Sequence, residues 1–218
     1  MSNVYIYVVA RDFGFAPNPF HGVCTLATCK PKIRRVAKEG DWVVGMGGRA
    51  LNATGKCIYF MQVTGAMSFN EYWEHPDFKC KRPARNGSRV AMLGDNIYHR
   101  ESEADQWTQE NSHHSREDGS PEWWNVENDT GEDRILYSKR FVYFGKDAPD
   151  VPKEILDAIG YENGRNHRKF TDRQCQPLLQ WIEMRGERNW NMVLADPFRF
   201  QQSGARYSKE VDRVLQPR

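Results

Sequence analysis

The chain has 218 residues, 39% hydrophobic and 28% charged, with 7 Trp, 9 Tyr and 11 Phe, a composition that excludes a disordered segment. No apolar run approaches the roughly 18 residues that span a bilayer, so a membrane partner is excluded, and five scattered cysteines read as reduced, mostly buried thiols. A formal charge of +2 conceals a segregation: residues 1–98 balance at +6, residues 99–133 at −9 and residues 134–218 at +5. A basic body suits a phosphate-bearing partner.

In chain order, Val4–Val9 is the first predicted strand. It lacks a basic leader and a cleavage site, so it reads as a strand and not a signal peptide, and a cytoplasmic location is expected. The stretch "HGVCTLATCKPKIRRVAKEGDWVVGMGG" (21–48) follows. Cys24 and Cys29 lack the two-residue spacing of zinc knuckles, and no second pair completes a ligand set with His21, so no metal is expected. Thr25, Thr28 and the helix opening at Pro31, with Lys30, Lys32, Arg34 and Arg35, fit a phosphate cradle. A solvated basic face with Ile33 and Val36 turned inward fits them equally. Strands are predicted at Trp42–Met46 and Cys57–Val63, and Ser68 with Glu71 three residues on forms a capping box for a helix that stops at Pro76.

A strand over Arg89–Leu93 leads into Gly94-Asp95-Asn96, Tyr98 and His99. Gly-Asp-Asn is ordinary turn chemistry. Polar groups at a strand end also suit reading a base edge, with Asp95 or His99 as a general base. Residues 99–133 show no periodicity, and this acidic insert carries Trp107, Trp123 and Trp124, which favour packing as a lid or on a partner over a bare linker. Its adjacent His113 and His114 can titrate near neutrality or bind metal, on weak grounds. A long strand over Arg134–Phe144 carries aromatics on both faces, so Tyr143 is a candidate to stack a base; a fully buried strand is the competing reading. Helices are predicted over "DVPKEILDAIG", "TDRQCQPLLQWIEMRG" and the tail "YSKEVDRVLQ". The loop "GYENGRNHRKF", with Arg165 and His167, is a second candidate phosphate site. This order of elements predicts one α+β domain over 1–218, built on a mostly antiparallel, barrel-like sheet with C-terminal helices. No Gly-x-Ser-x-Gly, His-Glu-x-x-His or paired-Cys signature is present, and no cofactor is expected.

The stretches "CTLATCKPKIRR", "GDWVVGMGG", "FNEYWEHPDF", "GDNIYH" and "SKRFVYFG" resemble the second of the nucleotide-modification-associated domain families, which implies a bacterial or phage DNA-modification context without supplying a mechanism. "KEGDWVVGMG" and "YFMQVTGAMSFNEYW" bear a looser resemblance to PUA-like domains of the EVE and ASCH kind, which implies a barrel that reads modified bases or RNA.

Three functions follow. The favoured one is a binding module in which Lys30, Arg34 and Arg35 hold phosphate, Tyr98 or Tyr143 stacks, and Asp95 with Asn96 reads the base of a nucleotide or nucleic acid, DNA above RNA. The second is an enzyme of nucleotide or base modification with Asp95, His99 or Cys24 as the reacting group. The third is a structural partner in a defence or modification complex, docking another protein through the acidic insert.

Overall fold

The longest apolar runs form the middle of a sheet, where both faces are covered. The computed structural model describes residues 2–216. In chain order its strands and α-helices are β1 Asn3–Val9, β2 Cys24–Leu26, α1 Pro31–Val36, β3 Trp42–Gly47, β4 Cys57–Gln62, β5 Gly65–Met67, α2 Phe69–Glu74, α3 Arg89–Met92, β6 Tyr98–His99, β7 Thr108–Gln109, α4 Trp123–Thr130, β8 Ile135–Ser138, β9 Phe141–Tyr143, α5 Lys153–Ile159, β10 His167–Thr171, α6 Gln176–Gly186, β11 Met192–Val193, β12 Arg206–Ser208 and β13 Arg213–Leu215. One six-stranded sheet has the order β10-β1-β3-β4-β9-β11, and a second, three-stranded sheet the order β2-β8-β5. Pairing is antiparallel throughout these sheets except for β1 with β3 and β9 with β11. The architecture is therefore α+β and mostly antiparallel, as the element order predicts.

The parallel β1–β3 pair positions the site. Parallel neighbours need a crossover, and here the crossover carries β2 and α1. It brings the turn that starts α1 back over the C-terminal end of β1. Val4, Tyr5, Val43, Val44, Ile58 and Phe60 are buried in the main core, with α5 and α6 contributing Ile159, Leu178, Trp181 and Ile182. A second cluster, including Phe13, Phe15, Phe69, Tyr98 and Val126, forms beneath the insert.

Several local readings hold. Ser68 and Glu71 form the reciprocal capping box of α2, and Gly160 closes α5 in the left-handed conformation. Five elements differ from the sequence reading. His167–Thr171, read as part of a loop, is the edge strand β10, its backbone paired with β1. Arg89–Met92 is a helix capped by Ser88, since so short an apolar run fits either period. Arg134–Phe144 is divided at Lys139–Arg140, giving β8 to the small sheet and β9 to the large one. There the Ser138 hydroxyl donates to Gln62 O at 2.6 Å and accepts from Arg140 N, which turns the chain. The tail is the β12–β13 hairpin and not a helix: Asp212 adopts φ 48, and the Tyr207 amide donates to His113 O, so tertiary pairing overrides helical spacing. The insert contains β7 and α4; Trp107 packs on Phe69, while Trp123 and Trp124 stay exposed.

Between β2, α2 and the chain after α3 lies a buried polar network. Lys81 is fully buried and donates from Nζ to Asn18 O, Asn18 Oδ1 and Val23 O at 2.7–2.9 Å. Thr25 Oγ1 donates to Asp95 Oδ2 at 2.6 Å, and Tyr72 OH to Asp95 Oδ1 at 2.8 Å. Burial raises the Asp95 carboxyl above its usual range; Lys81 is the largest influence opposing that shift. Lys81→Met removes the ammonium beside the buried Asp95 carboxyl and takes a charged donor from Asn18 O, Asn18 Oδ1 and Val23 O. It is expected to lower the free energy of unfolding by about 3 kcal/mol, read as a lower urea midpoint; an unchanged midpoint would show that Asp95 needs no cation.

Candidate functional site

At the C-terminal end of β1, where α1 begins, the surface opens into a cavity of about 430 Å³. Six separated segments line it: β1 and the chain just beyond it, the turn into α1, the loop at His113–His114, Asn128 on α4, Asn166–His167 at the start of β10, and the β12–β13 hairpin. Phe13, Phe15 and Ala16 provide an apolar floor, and Tyr7 and Tyr207 stand at the walls. Lys30, Lys32, Lys209 and Arg11 bring positive charge, and His167 lies beside them. Asp212 is the one acidic side chain among the lining residues, and Arg11 already pairs with it at 3.1 Å. Lys30 Nζ sits 4.6 Å from the centroid of the Tyr7 ring.

Behind this surface three side chains converge from distant parts of the chain. Cys29, half-buried in the turn before α1, has its Sγ 3.9 Å from His114 Nε2. His114 Nδ1 lies 2.7 Å from Asp129 Oδ2, and because a carboxylate only accepts, Nδ1 carries a proton. Asp129, on α4, is fully buried. Its Oδ1 accepts from the Cys29 amide at 2.8 Å and from Asn128 Nδ2 at 3.0 Å, while Oδ2 also accepts from Tyr98 OH at 3.0 Å. Burial alone would lower the His114 pKa, but the Asp129 carboxylate and then the Cys29 sulfur reverse this and raise it to about 10. Burial alone would raise Asp129; His114 beside it holds the carboxyl below its usual range. The pair is an imidazolium–carboxylate pair at neutral pH. His113, by contrast, is pushed down to about 3 by burial and by His114, and its Nδ1 donates to Ala205 O at 2.7 Å.

Sulfur, imidazole and carboxylate lie within 4.8 Å of one another, close enough to share a cation. Yet both Asp129 oxygens already accept two hydrogen bonds each, so a cation would have to displace donors that hold the turn, the histidine and Tyr98 in place. The donor set suits orienting His114 better than ligating a metal.

A sequence model of the family described as Nucleotide modification associated domain 2 matches residues 1–204. The chain belongs to this family. Among solved structures, a point mutant of ZmASCH from Zymomonas mobilis is similar at 6% identity, covering 81% of this chain and 96% of its own, with a TM-score of 0.35. No curated protein matches. Among the described residues, no helix is long and apolar enough to cross a membrane.

In this family member, the site residues read from sequence fall in different places. Lys30 and His167 line the cavity. Arg165, next to His167 in sequence, is exposed and outside it. Arg34 is turned inward. Its Nε donates to Cys29 O at 2.9 Å, Nη1 to Glu132 O at 2.7 Å and Nη2 to Asp129 O, so it holds the backbone of the site and is closed to phosphate. Arg35 pairs with Glu132 at 2.7 Å on the surface. Thr25, Asp95 and Asn96 are buried in the network with Lys81 and Tyr72, away from the cavity, so they do not face a base edge. Cys24 lies in the core with its thiol pushed up to about 12 by burial, unsuited to react. His99 stacks on Trp73 with ring centroids 4.2 Å apart and meets Glu110 at 2.9 Å. Tyr143 is buried and donates to Asp12, and Tyr98 is buried behind Asp129, so neither presents a face to a ligand.

Cys29, His114 and Asp129 were missed as a group because they are 85 and 15 residues apart and no local spacing joins them. The paired histidines and the Cys24/Cys29 segment were the available signals. The buried pair makes stability depend on pH with a definite sign. His114 has a folded pKa near 10 against an ordinary 6.5, so its contribution is whole below about pH 6.5 and is lost as pH rises through about 10. The difference in unfolding free energy between the native chain and His114→Gln is expected to shrink across that interval; a constant difference would mean that His114 is not held protonated.

Proposed function

We propose that the cavity binds a nucleotide, free or presented by DNA, with its phosphate against the cationic wall and its base over the aromatic floor. One observation carries the reading. Lys30, Lys32 and Lys209 all line the cavity, and none of them is ion-paired among the described residues. Their proximity is costly. Burial, and with it the charge of Lys209, pulls Lys30 below its ordinary pKa, and burial together with Lys32 and Lys30 pulls His167 down. An anion entering here relieves that repulsion, and its hydrogen bonds to ammonium groups are charge-assisted.

The remaining features agree with a nucleotide in size and chemistry. A volume of about 430 Å³ lies inside the range of roughly 300–1,000 Å³ that holds small ligands. Phe13, Phe15 and Tyr207 offer rings on which a base can rest, worth ~1–3 kcal/mol. Family membership supports a nucleotide as the anion in place of a simple metabolite. The phosphate contact differs from the one read in sequence: Arg34 and Arg35 are committed elsewhere, leaving the lysines.

Calorimetry with nucleoside 5′-monophosphates and the matching nucleosides tests this. The monophosphates are expected to bind more tightly, with affinity falling as salt rises, and Lys30→Ala with Lys32→Ala is expected to weaken them about tenfold or more. Lys153→Ala, on α5 and outside the cavity, is expected to change nothing. Equal affinity for nucleoside and nucleotide, or no loss in the double variant, would sink the proposal.

A further inference from the structure

The nucleotide reading leaves Cys29 unused, and its setting is more elaborate than binding requires. Cys29 and Lys30 both adopt left-handed backbone conformations, with φ of 57 and 44. Consecutive non-glycine residues in that region are strained and persist only where their surroundings over-determine them, as active sites do. Here the surroundings are explicit. The Cys29 amide donates to Asp129 Oδ1, and its carbonyl accepts from Arg34 Nε, so the turn is clamped on both sides of the sulfur-bearing residue. His114 is clamped as well: its amide donates to Ser112 Oγ at 3.2 Å, and its carbonyl accepts from Asn125 Nδ2 and Gln109 Nε2 at 2.8 and 3.1 Å.

We propose that Cys29 is the nucleophile of a cysteine-dependent acyl transfer, with His114 as its acid–base partner and Asp129 positioning the imidazole. The substrate class is an ester, thioester or amide whose anionic, nucleotide-sized portion occupies the cavity. This deepens the nucleotide reading and rests on it for the anionic portion alone. Sulfur, imidazole and carboxylate follow one another in the order that nucleophile, base and orienting group take in acyl-transfer triads. His114, held protonated beside Asp129, directs Nε2 toward Sγ at 3.9 Å, where a departing group can take its proton.

The step balances without an oxidant or a metal. Once deprotonated, Sγ attacks the carbonyl carbon and forms a C–S bond. The carbonyl π electrons move to oxygen and return as the bond to the leaving group breaks. That group departs with the Nε2 proton of His114, leaving a thioester on Cys29 and a neutral imidazole. Water or an amine then attacks the thioester and passes a proton to Nε2, and Sγ leaves as thiolate.

Other uses of these residues fit less well. A cation would break the four hydrogen bonds to Asp129. Phosphoryl transfer would want a guanidinium at the sulfur, but Arg34 is buried behind the turn and Arg35 is paired with Glu132. The other cysteines have no such setting. Cys24, Cys57 and Cys175 are buried with their thiols pushed up by burial, and Cys80 is exposed with its Sγ bonded to Asp77 O.

The probe is p-nitrophenyl acetate, a neutral ester, with the full chain. The expected result is a burst of nitrophenolate equal to the protein, with an acetyl group located by mass spectrometry on Cys29. Cys29→Ala is expected to abolish the burst and Cys80→Ala to leave it intact. Asp129→Asn and, should that variant not fold, His114→Gln are expected to slow acylation by about a hundredfold and alter its pH profile. No burst, acetylation only at Cys80 or lysines, an undiminished rate in folded His114→Gln, or a stoichiometric zinc complex that requires Cys29 would each overturn the proposal. Nucleotide binding is read separately by calorimetry on Cys29→Ala. Binding retained there with no acylation in the native chain would overturn the acyl transfer and spare the nucleotide site.

Discussion

The Asp129 carboxylate is the fixed point around which this end of the molecule is arranged. A buried ionised carboxylate carries a desolvation penalty of several kcal/mol, which only full coordination by donors offsets. Asp129 receives four donors from four places: the Cys29 amide, Asn128, Tyr98 and His114. Arg34 adds four more bonds, to the carbonyls of Cys29, Asp129, Glu132 and Arg134. Each donor belongs to a different segment, so satisfying one side chain fixes the α1 turn, the insert loop and α4 relative to one another. The strain at Cys29 and Lys30 is held by the same bonds.

The second buried carboxylate, Asp95, makes an instructive contrast. It too is fully coordinated, by Thr25 and Tyr72, with Lys81 as the nearby cation. But none of its partners lines the cavity, and Asp95, Thr25, Tyr72 and Lys81 bond one another and the nearby backbone. It closes the space between β2, α2 and the chain after α3. The Asp129 group instead ends in half-buried Cys29 and in buried His114, both of which line the cavity. Equivalent chemistry is architecture in one place and a candidate site in the other, and access alone separates them.

That distinction explains what could be read from the sequence. Strands β1, β3 and β4, the capping box at Ser68 and the closing Gly160 are local facts: apolar runs and caps act over a few residues, and they emerged where expected. The α3 segment and the tail did not, because "RVAML" is too short to declare a period and the hairpin of the tail depends on contacts with His113 and Arg11. Polar residues at Asp95, Asn96 and Thr25 looked available to a ligand since a sequence gives no measure of burial. Lys30 and His167 were legible as cations near turns. The Cys29–His114–Asp129 convergence was not, since it depends on a long acidic segment folding back over the body.

The charge pattern gains a physical meaning from the same fold. The acid of residues 99–133 is not only a solvating surplus. Glu132 meets Arg35, Asp133 meets Arg100 and accepts from the Phe69 amide, Glu110 meets His99, and Asp129 meets His114. These pairs consume acid on the outer side of α1 and beneath the loop. None of them reaches Lys30, Lys32 or Lys209. Of these pairs only Glu132 with Arg35 reaches the basic body, while the others join residues within the insert, so the acid of the insert is spent largely on itself and positive charge stays on the cavity lining. A chain with a net charge of only +2 can in this way present a strongly cationic pocket. The element that brings His114 and Asp129 to Cys29 thus also leaves the neighbouring wall free to attract an anion.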